Sequence, residues 1–231
     1  MNSIRLSLLA FPSLLVLGIC SCGLESKPTG PGPTQFLKST GVDLSERAAR
    51  LPFEHSWRDP SFDVSNYKYI VVRPVTTAFL RSEQWVESRS AKIPDERSYL
   101  LQCNKLARHW DGSLAKAFSS PVCMFYKTTD TRRPGTLILE VALTEVRFDA
   151  PEAAAGLPLC AFESRVKDAT TGKLISTAYD RRGPEIAILG TVKRSFAHPN
   201  EKICDEWSRQ LMQRSNVELY PVVKRRWFAL I

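Results

Sequence analysis

The segment Cys160-Ala-Phe-Glu-Ser-Arg-Val-Lys-Asp168-Ala-Thr-Thr-Gly172-Lys-Leu-Ile-Ser-Thr-Ala-Tyr-Asp180 decides the fold. Residues 160–167 and 173–180 are strand-like runs, and Asp168 to Gly172 between them carries the Asp and Gly that form tight turns. The segment therefore predicts an antiparallel hairpin. Just upstream, Leu137 to Phe148 is long and alternates, with Leu137, Leu139, Val141 and Leu143 on one face. A short strand is expected over 122–127. Tyr67 to Val75 is the first strand of the chain, with Pro74 marking where its pairing ends or meets an edge.

Two helices complete the pattern. From Pro94-Asp-Glu, residues favoured in a first helical turn, Tyr99, Cys103, Leu106, Trp110, Leu114 and Ala117 recur at steps of three and four and share one face. A second helix over 200–216 places Cys204, Trp207 and Leu211 together. The spacing makes Trp110 a core residue, and His109 beside it reads as a core histidine. Residues 36–66 look irregular, with Phe53 and Trp57 as aromatic anchors, and 76–91 as a loop. The fold class expected is α+β: a mainly antiparallel sheet with two helices packed on one face, a two-layer α/β sandwich.

The other end of the chain gives an address. Arg5 precedes the apolar run Leu6 to Ile19, and Ile19-Cys20-Ser21-Cys22 ends on a cysteine after a small residue. That pattern resembles the lipobox of bacterial lipoproteins. Ser21 before Cys22 suits the peptidase where Ile19 before Cys20 does not, so Cys22 is the expected lipidation site. The apolar run falls short of the roughly 20 residues that span a bilayer. Residues 1–21 are then a signal peptide. Residues 22–35, with Pro and Gly and little to bury, are a lipidated tether, and 36–231 are one periplasmic domain. Gly23 lacks the aspartate of an inner-membrane retention signal, which points to the outer membrane.

The formal net charge is +8, all but one charge of it beyond Arg5. In an exported chain this excess suits anionic envelope components or a solvated surface, and disfavours nucleic acid. The basic tail, with Lys224, Arg225, Arg226 and Trp227, reads either as a partner or membrane surface or as a terminal strand. Four cysteines follow the signal: Cys103, Cys123, Cys160 and Cys204. An oxidising compartment permits disulfides, and Cys103 with Cys204 and Cys123 with Cys160 is one of three arrangements; buried free thiols are the other reading. The spacing holds no zinc motif, and no metal or cofactor is expected.

The lipobox and tether, Trp57 with Pro60-Ser-Phe-Asp-Val-Ser-Asn-Tyr-Lys68, the strand Tyr69 to Val75, the strand Leu137 to Val146, the hairpin turn through Asp180-Arg-Arg-Gly183, and Asp205-Glu-Trp207 together resemble the proteobacterial lipoproteins of domain-of-unknown-function family 3313. The resemblance implies an outer-membrane lipoprotein and implies no reaction.

Chemistry is sparse. There is no GxSxG nucleophile turn and no Gly-rich phosphate loop. Asp168 is expected to shape the hairpin turn and Asp180 to pair with Arg181 or Arg182. Two functions are expected. One is a non-catalytic outer-membrane lipoprotein that binds an envelope protein or cell-wall component. The other is a membrane-anchored periplasmic enzyme or small-ligand binder with a cleft at His55, Trp57, Asp180 and Arg181.

Overall fold

In a computed structural model, the structure describes residues 32–42, 52–81, 93–148, 160–183 and 199–217. The hairpin forms as the sequence dictates: β5 (Cys160–Asp168) and β6 (Leu174–Arg182) pair antiparallel. In the turn, the Asp168 carboxylate accepts the backbone N–H of Thr170 at 2.8 Å and of Thr171 at 2.7 Å. Gly172 closes it at φ 70°, a left-handed conformation that suits glycine. Four further strands build outward to the order β1-β6-β5-β4-β2-β3. β1 is His55–Arg58, β2 Tyr69–Val72, β3 Lys127–Thr128 and β4 Thr136–Val146.

The sheet is mixed. β1, β6, β5 and β4 pair antiparallel, whereas β2 runs parallel to both β3 and β4. The reason is covalent: α2 (Glu96–Ser119) lies between β2 and β3 in sequence, and a helical crossover returns the chain in the same direction. The strand expected over 122–127 shrinks to Lys127–Thr128, and Val122 and Met124 are exposed. Within the stretch expected to be irregular, β1 adds an edge to β6.

α2 and α3 (Pro199–Val217) pack on one face of the sheet. The Asp95 carboxylate caps α2 by accepting the Ser98 N–H at 2.7 Å. Every second residue of β5 faces the helices, and Phe162 meets Trp207 at 4.7 Å and Trp110 at 5.5 Å between ring centroids. The two indoles sit 5.3 Å apart, and all three side chains are fully buried. Rings of this size bury 150–250 Å² each, so truncating any one to alanine costs about 3–5 kcal/mol. Along β4, Leu137, Leu139, Val141 and Leu143 face the same core. A register shift between Leu143 and Glu145 then lets Val146 return to it while Glu145 stays on the far side.

That far side is not bare. A third helix, the single turn α1 (Gln35–Lys38), lies there, and Phe36 and Leu37 form a small second cluster with Phe79, Ala142 and Tyr179. The last two residues of the expected tether, Thr34 and Gln35, are therefore part of the fold: Thr34 caps α1. Glu163, fully buried, accepts the backbone N–H of Thr34 at 2.5 Å, its hydroxyl at 2.8 Å and the Leu37 N–H at 3.2 Å. Ion pairs line the same face. Glu140 bonds Arg165 at 2.5 Å and Lys167 at 3.1 Å, and Glu145 bonds Arg181 at 3.1 Å.

Burial pushes the Glu163 carboxyl above its ordinary value, against the opposing pull of the Thr34 and Leu37 donors. A carboxyl with a raised folded-state pKa favours folding while protonated, so this contribution declines as pH rises above the ordinary glutamate range. Glu163→Gln does not titrate. The urea stability of wild type relative to Glu163→Gln is expected to fall as pH is raised from about 4 to 7. Glu163→Ala strands buried N–H groups and is expected to cost about 2–3 kcal/mol at pH 7. A flat pH difference in the urea midpoints would place the charge elsewhere.

Candidate functional site

The two long helices run in the same direction: His109 and Ser113 of α2 meet Asp205 of α3, and farther along Phe118 and Leu211 share one cavity wall. Indole packing fills the space beneath them, and the outer side is left as a groove of about 640 Å³. Its surface is mostly apolar, with Ala117, Val122 and Met212 in the lining and His109, Ser113, Asp205 and Arg209 as the polar groups. This matches the composition and size of a small-ligand or peptide cleft.

Three polar side chains converge there. Asp205 Oδ1 bonds His109 Nε2 at 2.9 Å and accepts the Ser113 hydroxyl at 2.5 Å. Ser113 thus donates to the carboxylate and not to the imidazole, so this arrangement lacks the nucleophile–base hydrogen bond that activates a serine. It offers instead a hydroxyl oxygen, an imidazole and a carboxylate edge to a bound polar group. His109 is a groove residue, which corrects its reading as a core histidine. Helical geometry put it one step from Trp110, and one step of about 100° separates a buried indole from a half-buried imidazole. His109 and Ser113 at i, i+4 were the only signal in the sequence, and nothing in it brought Asp205 to them.

The cleft expected from His55, Trp57, Asp180 and Arg181 does not assemble. Asp180 points to the helices, where its carboxylate bonds Arg182 at 2.8 Å and accepts the Trp207 indole N–H at 2.7 Å. Arg181 points to the other face and Glu145, and His55 stacks on Tyr179. Alternation along β6 separates neighbours 180 and 181 by the thickness of the sheet. Asp168 and Asp180 take the structural parts expected of them, in the turn and with Arg182.

All four cysteines are free, so the pairs Cys103 with Cys204 and Cys123 with Cys160 are not formed. Cys103 and Cys204 do share the helix-facing core, together with Cys160, each of them fully buried. Cys123 stands apart, half-buried after α2, its thiol 3.7 Å from the Tyr126 carbonyl oxygen. Burial pushes the Cys103 thiol up to about 12 and raises Cys160 and Cys204 as well, so none is a poised thiolate. Cys22 and the basic tail with Lys224, Arg225, Arg226 and Trp227 lie outside the described residues. Among the described residues, no three His, Cys, Asp or Glu side chains cluster as metal ligands, and no helix is long and apolar enough to cross a membrane.

A family model described as "Protein of unknown function (DUF3313)" matches residues 33–157. No curated protein matches the chain. Among solved structures, the PelC dodecamer from Paraburkholderia phytofirmans is similar at 10% identity and a TM-score of 0.38, over 69% of this chain and 94% of that one. A DUF4136 family protein from Bacteroides thetaiotaomicron is similar at 8% identity and a TM-score of 0.35, over 70% and 94%. A DUF330 protein from Xanthomonas campestris is similar at 10% identity and a TM-score of 0.32, over 67% and 86%.

Thiol accessibility follows from the burial. With native protein and no reductant, iodoacetamide is expected to alkylate Cys123 slowly and to spare Cys103, Cys160 and Cys204. In urea all four are expected to react. Peptide mass mapping reads both states; a cysteine that reacts in urea only after reduction would reveal a disulfide.

Proposed function

The chain belongs to the DUF3313 family of proteins of unknown function, and from that premise we propose that it is a non-catalytic outer-membrane lipoprotein whose domain binds an envelope protein or cell-wall component. Cys22 carries the lipid. The observation that supports this reading is where the fold begins. Pro33 opens the compact unit, and Thr34 is already held on the sheet by Glu163. The ten residues from Gly23 to Gly32 are all that separate it from the lipobox cysteine. Eleven residue steps reach about 40 Å at most, so a lipid on Cys22 keeps the domain within that distance of the bilayer. Two or three acyl chains, at about 0.8 kcal/mol per buried CH₂, make the attachment stable where one chain would hold only marginally.

A second reading, a membrane-anchored periplasmic small-ligand binder or enzyme, is favoured by one feature, the groove between α2 and α3. There the polar cluster around Asp205 supplies a few convergent groups on an apolar wall. As an enzyme it would use His109 as the general base, with Asp205 orienting it. As a binder it needs no proton transfer, and His109→Gln would retain binding.

Cell fractionation tests the anchor. Wild-type protein is expected to sediment with outer membrane and to incorporate labelled palmitate. Cys22→Ala is expected to lose the label and be released while keeping its near-UV circular dichroism. Sedimentation of folded Cys22→Ala with the membrane would assign the attachment to the domain or to Lys224, Arg225, Arg226 and Trp227 instead.

A further inference from the structure

The groove between α2 and α3 carries its charges and its hydrocarbon in a definite order. Because the two helices run in the same direction, position in the sequence maps onto position along the groove. Asp205 and Ser113, which share a hydrogen bond, come first. Lys116 follows Ser113 on α2 and Arg209 follows Asp205 on α3, each about 4.5–6 Å farther along. Ala117, Val122 and Met212 then line the groove toward the loop after α2. In that loop Val122 is 61% exposed and Met124 66%.

The polar groups at the first two positions still have bonding capacity. Asp205 uses Oδ1 for both His109 and Ser113, and its Oδ2 has no partner among the described residues. The Ser113 hydroxyl donates its proton to Oδ1, so its lone pairs remain open to a donor. Arg209 is held by Glu206 and Gln213. The Lys116 ammonium, by contrast, has no carboxylate partner among the described residues. Along its length the groove therefore presents two acceptors for a cation, one ammonium for an anion, and then hydrocarbon.

That order selects a ligand. A simple anion on Lys116 would meet the Asp205 carboxylate, and a simple amine on Asp205 would meet two cations. An uncharged apolar molecule would desolvate these groups without pairing them. The complement carries both charges. In an α-amino acid both charges stem from one carbon and the side chain leaves from between them, whereas here the hydrocarbon lies beyond the cation. A phosphoethanolamine ester has the matching sequence: an ammonium, two carbons, a phosphate, and then glycerol and acyl carbon. We infer that the groove binds the phosphoethanolamine head group of a phospholipid, with the ammonium on Asp205 and Ser113, the phosphate on Lys116, and the first chain carbons against Ala117, Val122 and Met212. A volume of about 640 Å³ takes a head group with its glycerol, and the exposed Val122 and Met124 lie where the chains leave. The inference rests on the reading of the groove as a binding cleft and needs no lipid on Cys22.

The test uses the mature lipidated protein in an uncharged maltoside detergent, with isotope-labelled methionine methyl groups read by NMR. Beyond Met1 the methionines are Met124 and Met212, so both signals report on the apolar end of the groove. Dihexanoyl phosphatidylethanolamine is titrated beside dihexanoyl phosphatidylglycerol, which keeps the phosphate and chains but has no ammonium. Soluble O-phosphoethanolamine, which has no chains, is the third probe. The ethanolamine lipid is expected to shift the Met212 signal saturably and to bind roughly tenfold more tightly than the glycerol lipid, the worth of one charge-assisted hydrogen bond. Asp205→Asn is expected to erase that preference. Lys116→Gln is expected to weaken both lipids alike, again by roughly tenfold. Val122→Asp is expected to weaken the lipids and to leave O-phosphoethanolamine unchanged. Lys105→Gln, which removes an exposed charge on the same helix outside the groove, is expected to change nothing. Near-UV circular dichroism checks that each variant is folded. If the two lipids shift Met212 with equal affinity in wild type, the groove remains a cleft and the head-group assignment is overturned. If neither lipid moves Met212, the inference and the cleft reading fall together. The inference also fails if O-phosphoethanolamine binds as tightly as its lipid, or if Lys105→Gln matches Lys116→Gln.

Discussion

One buried carboxylate ties the layers together. Asp180, 6% exposed, sits on β6 against α3, where it accepts the Trp207 indole N–H, the Arg182 Nε–H and, from the segment that enters β1, the Glu54 backbone N–H at 3.1 Å. Burial raises its carboxyl, and Arg182 opposes that shift most strongly. Arg182 in turn donates to the Pro52 carbonyl at 3.3 Å and to Gln210 of α3. The cluster therefore joins the edge strand, the hairpin and a helix through charge-assisted bonds in a water-poor place. Replacing such a pair wholly by hydrocarbon can be neutral, but removing one member strands the other and costs about 3–5 kcal/mol. Trp207 carries the same constraint into the core, because its N–H fixes where its ring meets Phe162 and Trp110.

The two faces of the sheet are held by different physics. Toward the helices, area burial dominates, with two indoles and a phenyl ring at the centre of an aliphatic strand surface. On the other face, acids and bases alternate across β4, β5 and β6, and among the described residues Phe36 and Leu37 of α1, with Phe79, add hydrocarbon from outside the sheet. The partly exposed pairs of Glu140 with Arg165 and Lys167 contribute little each. The α1 turn thus depends on Glu163, whose three accepted hydrogen bonds make the first ordered residues a clip on the sheet.

Much of this was legible in the sequence wherever one period ruled. The 3.6-residue recurrence of Tyr99, Cys103, Leu106, Trp110 and Leu114 fixed α2, and the alternation of Leu137 to Leu143 fixed β4, because each pattern reports the face turned to the core between helices and sheet. β1 was illegible because His55-Ser-Trp-Arg58 is an edge strand whose partner lies 118 or more residues away in β6. Its two sides bury different things and show no hydrophobic alternation. The parallel pairing of β2 was hidden for another reason. Direction in a sheet follows from the crossover through α2, which strand propensities do not record. The groove was the least legible part: His109 and Ser113 are one helical turn apart, but Asp205 reaches them only through helix packing set by Trp110 and Trp207.

The division of the two faces bears on function through where the chain enters. Thr34 joins the sheet on the side opposite α2 and α3, at Glu163 in the middle strand of the hairpin. The groove at Asp205 lies on the helix side. A lipid anchor at Cys22, as proposed, therefore pulls on one face of the sheet and leaves the groove on the other. Tension along the tether would be carried first by Glu163 and the α1 turn, and would reach the helix core only across the β5 backbone. Binding on the helix side and attachment on the sheet side, as proposed, would then use separate surfaces of one layer, so neither would have to be given up for the other.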